Sequence, residues 1–195
     1  MKVVVIKYNA GNVRSVEIAL ERLGITSLLS DDPIEIMSAD KIIFPGVGEA
    51  SSAINYLRER KLDRVILDVQ QPFLGICLGM QLMCRHSEEG NTSCLGIFSE
   101  NVLKFNHTNQ LKVPQIGWNT IYDLSSPLFK GVNENSYCYF VHSYYASLGK
   151  QAIAKTIYGV EYSSALHVKN FYGVQFHPEK SAEAGTQIIQ NFLDL

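Results

Sequence analysis

Residues 72–81 read Pro-Phe-Leu-Gly-Ile-Cys-Leu-Gly-Met-Gln: a short apolar run, a glycine-flanked cysteine in Gly75-Ile76-Cys77-Leu78-Gly79, then helix-compatible text from Met80 onward. A strand that turns through such a residue into a helix is the thiol counterpart of the Gly-x-Ser-x-Gly nucleophile elbow. The turn forces the nucleophile into strained backbone, and a side chain on either flank would strike the adjoining strand or helix, which accounts for both glycines. The sulfur is then lifted above the carboxyl edge of a sheet, at a helix N-terminus that favours thiolate over thiol.

Upstream, residues 2–8 (KVVVIKY) form a nearly continuous β-branched run, as expected of a strand buried on both faces of a parallel sheet. Val13, Val16, Leu20 and Leu23 follow at helical spacing, closed by Gly24. Residues 26–30 and 40–44 repeat the strand pattern, each followed by a turn and helical text. This alternation predicts an α/β fold, a three-layer α/β/α sandwich around a mostly parallel, doubly wound sheet. From about Leu95 the text becomes β-richer, with strand-like runs at 137–145, 151–158 and 171–176. Ile188, Ile189, Phe192 and Leu193 then predict a closing amphipathic helix from near Ser181.

The 195 residues are enough for one domain with a real core, and 46% hydrophobic with 18% charged residues is ordinary globular composition. Seventeen Lys+Arg against nineteen Asp+Glu give a charge of -2, so no net basic field draws a nucleic-acid backbone or an anionic membrane. The apolar run at 3–6 is too short for a signal-peptide core or a membrane span, so a cytoplasmic protein is expected. The four cysteines (Cys77, Cys84, Cys94 and Cys138) are expected as free thiols, and no Cys/His spacing suits zinc. Neither metal nor cofactor is expected.

A thiolate nucleophile needs a base, and Phe176-His177-Pro178-Glu179 supplies one at the end of a predicted strand, on the same carboxyl edge as Cys77. Glu179, two residues on, can reach the far imidazole nitrogen, fix its tautomer and support its positive charge. His86, His107 and His167 have no adjacent chemistry. His142, inside Tyr139-Phe140-Val141-His142-Ser143-Tyr144, fits pocket lining and core packing equally well. For the oxyanion, the backbone N–H of Leu78 follows from the elbow geometry, and the turn Pro45-Gly46-Val47-Gly48 offers a second donor, Val47 or Gly48. Outside the elbow, Cys84, Cys94 and Cys138 read as packing residues or ordinary thiols.

Together these motifs resemble the class I, triad-type glutamine amidotransferases, and within them the branch that serves as glutaminase subunit of imidazole glycerol phosphate synthase in histidine biosynthesis. Five segments carry the resemblance: Tyr8-Asn9-Ala10-Gly11-Asn12 with Arg14-Ser15-Val16; Pro45 to Gly48; Gly75 to Gln81; Gly117-Trp118-Asn119 with Tyr139 to Tyr144; and Gly173-Val174-Gln175-Phe176-His177-Pro178-Glu179-Lys180-Ser181. The resemblance implies a Cys77–His177–Glu179 triad and glutamine contacts from Gly46, Gly48, Gln81, Glu89, Ser143 and Tyr144. It also implies a heterodimer with a (β/α)8-barrel cyclase, met by Asn12, Trp118, Tyr139 and Lys180. Lys7 and Asn9 stand where that family carries Asp and Gly, and Ala50 where an aromatic is common.

Three alternatives share parts of this pattern: the glutaminase component of anthranilate, aminodeoxychorismate or pyridoxal phosphate synthase; a cysteine peptidase or γ-glutamyl hydrolase; and a non-catalytic interaction protein on the same fold. Met80 and Gly-Trp-Asn argue against the first, and the complete triad against the last.

Overall fold

In the computed structural model, which describes residues 1–8, 12–106 and 111–195, strands β1 (Val3–Ile6), β2 (Ser27–Ser30), β3 (Lys41–Phe44) and β4 (Phe73–Ile76) alternate with helices α1 (Val13–Arg22), α2 (Pro33–Met37), α3 (Ala50–Glu59) and α4 (Leu62–Asp68). Helix α5 (Leu78–Met83) leaves β4 after one intervening residue, Cys77. The second half holds β5 (His86–Ser87), β6 (Thr92–Ser93), β7 (Asn101–Lys104), β8 (Gln115–Ile121), β9 (Ser136–His142), β10 (Tyr144–Ala146), β11 (Ala152–Tyr158), β12 (Val160–Val168) and β13 (Phe171–Val174), and α6 (Ala182–Asp194) closes the chain. Asn9, Ala10, Gly11 and His107, singled out above, lie outside the described residues.

The described residues build an eleven-stranded mixed sheet in the order β2-β1-β3-β4-β13-β12-β10-β7-β5-β6, with β11 on β12. Its first five strands are parallel. All four residues of β1 are buried because both faces are covered. Val3 and Val5 join a core with Val16 and Leu20 of α1 and Ile188 and Phe192 of α6. Val4 and Ile6 join the opposite core with Ile36 of α2, Leu57 of α3, Ile66 of α4 and Leu82 of α5. Two apolar faces on one run of β-branched residues thus give the expected three layers, each buried side chain contributing about 1.5–3 kcal/mol of transfer free energy.

One expectation about local structure is corrected. The run at 137–145 is not one strand: β9 pairs with β8 in a separate two-stranded sheet, Ser143 interrupts the strand, and β10 joins β7 and β12 in the main sheet. Residues 45–48, expected as a turn, are irregular backbone between β3 and α3.

Candidate active site

Parallel pairing of β4 with β13 sets Gly75 beside Gly173 and Ile76 beside Val174, and the Cys77 N–H donates to the Val174 carbonyl at 2.8 Å. Cys77 and the chain leading to His177 therefore leave the same carboxyl edge side by side, with residues 45–48 at the end of neighbouring β3. Cys77 has φ 54° and ψ −110°, outside the ordinary regions for an L-residue. The glycines are required by space: a Cβ on Gly79 would lie 1.9 Å from the Phe44 carbonyl oxygen, and one on Gly75 would lie 2.8 Å from the Met80 nitrogen.

His177 and Glu179 are almost wholly buried, and Nδ1 meets Glu179 Oε1 at 2.8 Å. A carboxylate only accepts, so Nδ1 carries the proton and Nε2 is left for the sulfur. Asn12 donates from Nδ2 to the same Oε1 at 2.7 Å, and Oε2 has no partner among the described residues. Burial alone would pull the imidazole down. A negative Cys77 sulfur within hydrogen-bonding reach, and then Glu179, outweigh it and hold His177 well above the usual imidazole range. The arrangement favours an imidazolium facing the Cys77 sulfur.

Beside the sulfur lies a cavity of about 280 Å³ lined by Val47, Gly48, Leu78, Gln81, Glu89, Ser143 and Tyr144. Gly46 is not in the lining. A Cβ there would sit 2.1 Å from Tyr8 Oη, which itself donates to the Pro45 carbonyl at 2.6 Å. Within residues 45–48 only Gly48 has a positive φ, at +145°. The Leu78 N–H donates to the Gly46 carbonyl at 3.3 Å, so this expected oxyanion donor is engaged within the chain. Glu89 accepts from the Ala50 N–H at 2.8 Å, and burial raises its carboxyl. Ala50 is fully buried at the first turn of α3, so the common aromatic has no space here.

The sequence reading left out Pro114, Val141 and Gln175. Pro114 and Val141 line the cavity with His142. His142 serves both roles left open for it: it is buried, and its Nδ1 donates to the Tyr144 carbonyl at 2.7 Å across the strand break. Burial pushes it down to about 4, against the Tyr144 carbonyl and with the help of His177's charge, so it stays neutral. Gln175, fully buried, donates from Nε2 to the sulfur at 3.6 Å. Its only sequence signal was membership of the segment ending in His177.

Asn12, Trp118, Tyr139 and Lys180 fall on one side of the molecule. The Trp118 and Tyr139 rings meet edge-on at 5.9 Å between centroids, and Trp118 is 53% exposed. Trp118 and Lys180 border a cavity of about 700 Å³ between α1 and α6 that also reaches Glu179. It is larger than the Cys77 cavity but no cysteine or histidine lines it. Of the other thiols, Cys84 and Cys138 are buried, and burial pushes Cys94 up to about 11 and Cys138 to about 12. No helix among the described residues is long and apolar enough to cross a membrane.

Residues 4–195 match the family model of the class-I glutamine amidotransferases. The chain is 56% identical to the imidazole glycerol phosphate synthase subunit HisH of Bacteroides fragilis over the whole of both chains. It is 46% identical to the subunit HisH 1 of Vibrio vulnificus, covering 100% of this chain and 98% of that one. The structure of PurLQS from Thermotoga maritima shares the fold at a TM-score of 0.71 and 17% identity, over 99% of this chain and 97% of that one.

Proposed function

From the premise that the chain belongs to the class-I glutamine amidotransferase family, we propose that its 195 residues form one glutaminase domain, the ammonia-producing subunit of an imidazole glycerol phosphate synthase. The observation that carries this reading is the Cys77 elbow beside a buried His177–Glu179 pair at 2.8 Å, in a chain 56% identical over its full length to a subunit of that name. The Cys77 thiolate attacks the side-chain amide carbon of glutamine bound by Gln81, Glu89, Ser143, Tyr144 and the 47–48 backbone. His177 gives its Nε2 proton to the departing nitrogen, releasing ammonia and leaving a thioester. It then takes a proton from water, which attacks the thioester and frees glutamate. Glu179 orients and charges the base, and Asn12 holds Glu179.

The oxyanion needs two donors, and the engaged Leu78 N–H supports a resting state. Rotating the Gly46–Val47 peptide would withdraw the carbonyl from Leu78 and bring in the Val47 N–H, turning one repulsive group into a donor. We assign that rotation to docking of a (β/α)8-barrel cyclase on the Asn12, Trp118, Tyr139 and Lys180 face, a population shift between two backbone states. The enzyme would then work as a cytoplasmic heterodimer that passes ammonia to the cyclase, without metal or cofactor. Ammonia release from glutamine is the test. It should be slow for the isolated chain and rise by ~10²–10³ or more in the complex supplied with the cyclase's ligand. Equal rates would remove the switch, and cleavage of γ-glutamyl peptides without a partner would favour the hydrolase alternative.

A further inference from the structure

The β4–β13 pairing ends at Ile76 and Val174, and Cys77 and Gln175 are the next residues on the two neighbouring chains. Gln175 is 0% exposed and is not among the residues that line the cavity beside the sulfur. Its orientation is fixed by a chain of bonds that starts at a pure acceptor. Gln81 Nε2 lies 2.9 Å from the Tyr144 carbonyl oxygen, so that end of Gln81 must be the NH₂. The second hydrogen of the same NH₂ points at Gln175, 2.9 Å away, so the facing Gln175 atom must be oxygen. Gln175 Nε2 is thereby turned to Cys77 Sγ at 3.6 Å.

We propose that Gln175 is a second catalytic hydrogen-bond donor to the nucleophile, stabilising the Cys77 thiolate together with His177. As a thiol, the sulfur has the Val141 carbonyl oxygen at 3.7 Å to donate to. Once it is a thiolate that carbonyl only repels, and the fixed Gln175 N–H offsets the repulsion without any group having to move. The phenols of Tyr8 and Tyr162 are near enough to feel a charge on the sulfur. Burial raises both, so they add no charge. The same chain links the sulfur to the carbonyl of Tyr144, the first residue of β10 and part of the cavity lining, and so couples substrate-side geometry to the nucleophile.

The proposal rests on Cys77 being the nucleophile, and its test reads the sulfur without glutamine or partner: the rate of iodoacetamide alkylation of Cys77 against pH, followed by peptide mass spectrometry. Gln175→Glu keeps the length and the acceptor for Gln81 but replaces the donor with an anion. Its alkylation at pH 7 should fall at least about 10-fold, since hydrogen bonds to charged groups are the strong ones, and should recover only at higher pH. Gln175→Met removes the donor without adding charge and should fall in the same direction by less, which keeps the test open if the Glu variant does not fold. An unchanged profile in a folded variant of either kind would overturn the proposal and leave Gln175 as a prop for Gln81. Wild-type Cys77 reacting no faster than Cys94 would instead remove Cys77 as nucleophile, a separate failure.

Discussion

At the scale of single residues, environment separates one thiol from three. Burial raises Cys84, Cys94 and Cys138, whereas Cys77 faces His177 and Gln175 at the rim of a cavity. A glutamine-mimicking chloroketone should therefore label Cys77 alone, read by peptide mass mapping; label on Cys94 or Cys138 at a comparable rate would contradict the assignment. Glu179 invites a sharper substitution. Both of its donors use Oε1, so a glutamine at 179 can keep that oxygen in place and lose only the charge. Turnover of Glu179→Gln should fall about 10-fold to 10⁴-fold, the range over which orienting residues of triads vary. Because Glu179 is one of the groups holding the imidazolium, the pH at which His177 loses its proton should also move down, as followed by its NMR titration. Cys77, His177 and Glu179 were legible in the sequence because glycine flanks and a strand-end histidine are local signals. Gln175 was not, since its meaning comes from a register between strands about a hundred residues apart.

Elements decide what those residues can do. The elbow was legible because strand, glycines and helix are contiguous, and the structure starts α5 at Leu78 with no residue to spare. The break at Ser143 was hidden, because the aromatic text runs straight through it while the pairing changes sheet. The loop at 45–48 carries the most pointed prediction at this scale. Gly46 is a poor place to test its rotation, since any side chain there strikes Tyr8. Val47 is 37% exposed, so Val47→Pro removes the proposed N–H donor at a position with room for a ring. Partner-stimulated glutaminase activity should drop ~10²–10³ while synthesis driven by ammonium salts continues. Full stimulation in Val47→Pro would show that Val47 donates nothing to the oxyanion. His142 makes a second element-scale prediction, because it pins the β9–β10 break as a neutral ring. Its folded value lies below the ordinary 6.5, so the unfolded chain binds the extra proton between about 6.5 and about 4, and folding stability falls as pH drops through that window. The denaturant midpoint of His142→Gln should fall less steeply than wild type across the same window, and identical slopes would refute the neutral assignment.

For the whole molecule, two surfaces share one triad. The glutamine cavity opens on Cys77, and the face bearing Trp118 and Lys180 reaches Glu179 from the other side, with Asn12 bonded directly to that carboxylate. A partner seated there touches residues one bond away from the base, a geometry that suits control of ammonia production by an acceptor. Trp118→Ala should weaken docking by about 2 kcal/mol or more, as loss of a central aromatic anchor does, measured by titrating the barrel cyclase. In the function proposed above, this chain makes ammonia through Cys77 and a separate subunit consumes it. The most direct measurement is synthesis by the complex carrying Cys77→Ala, supplied with glutamine or with an ammonium salt. No product should form from glutamine and the rate from ammonium should be undiminished, whereas glutamine-driven synthesis at the wild-type rate would remove Cys77 from the reaction.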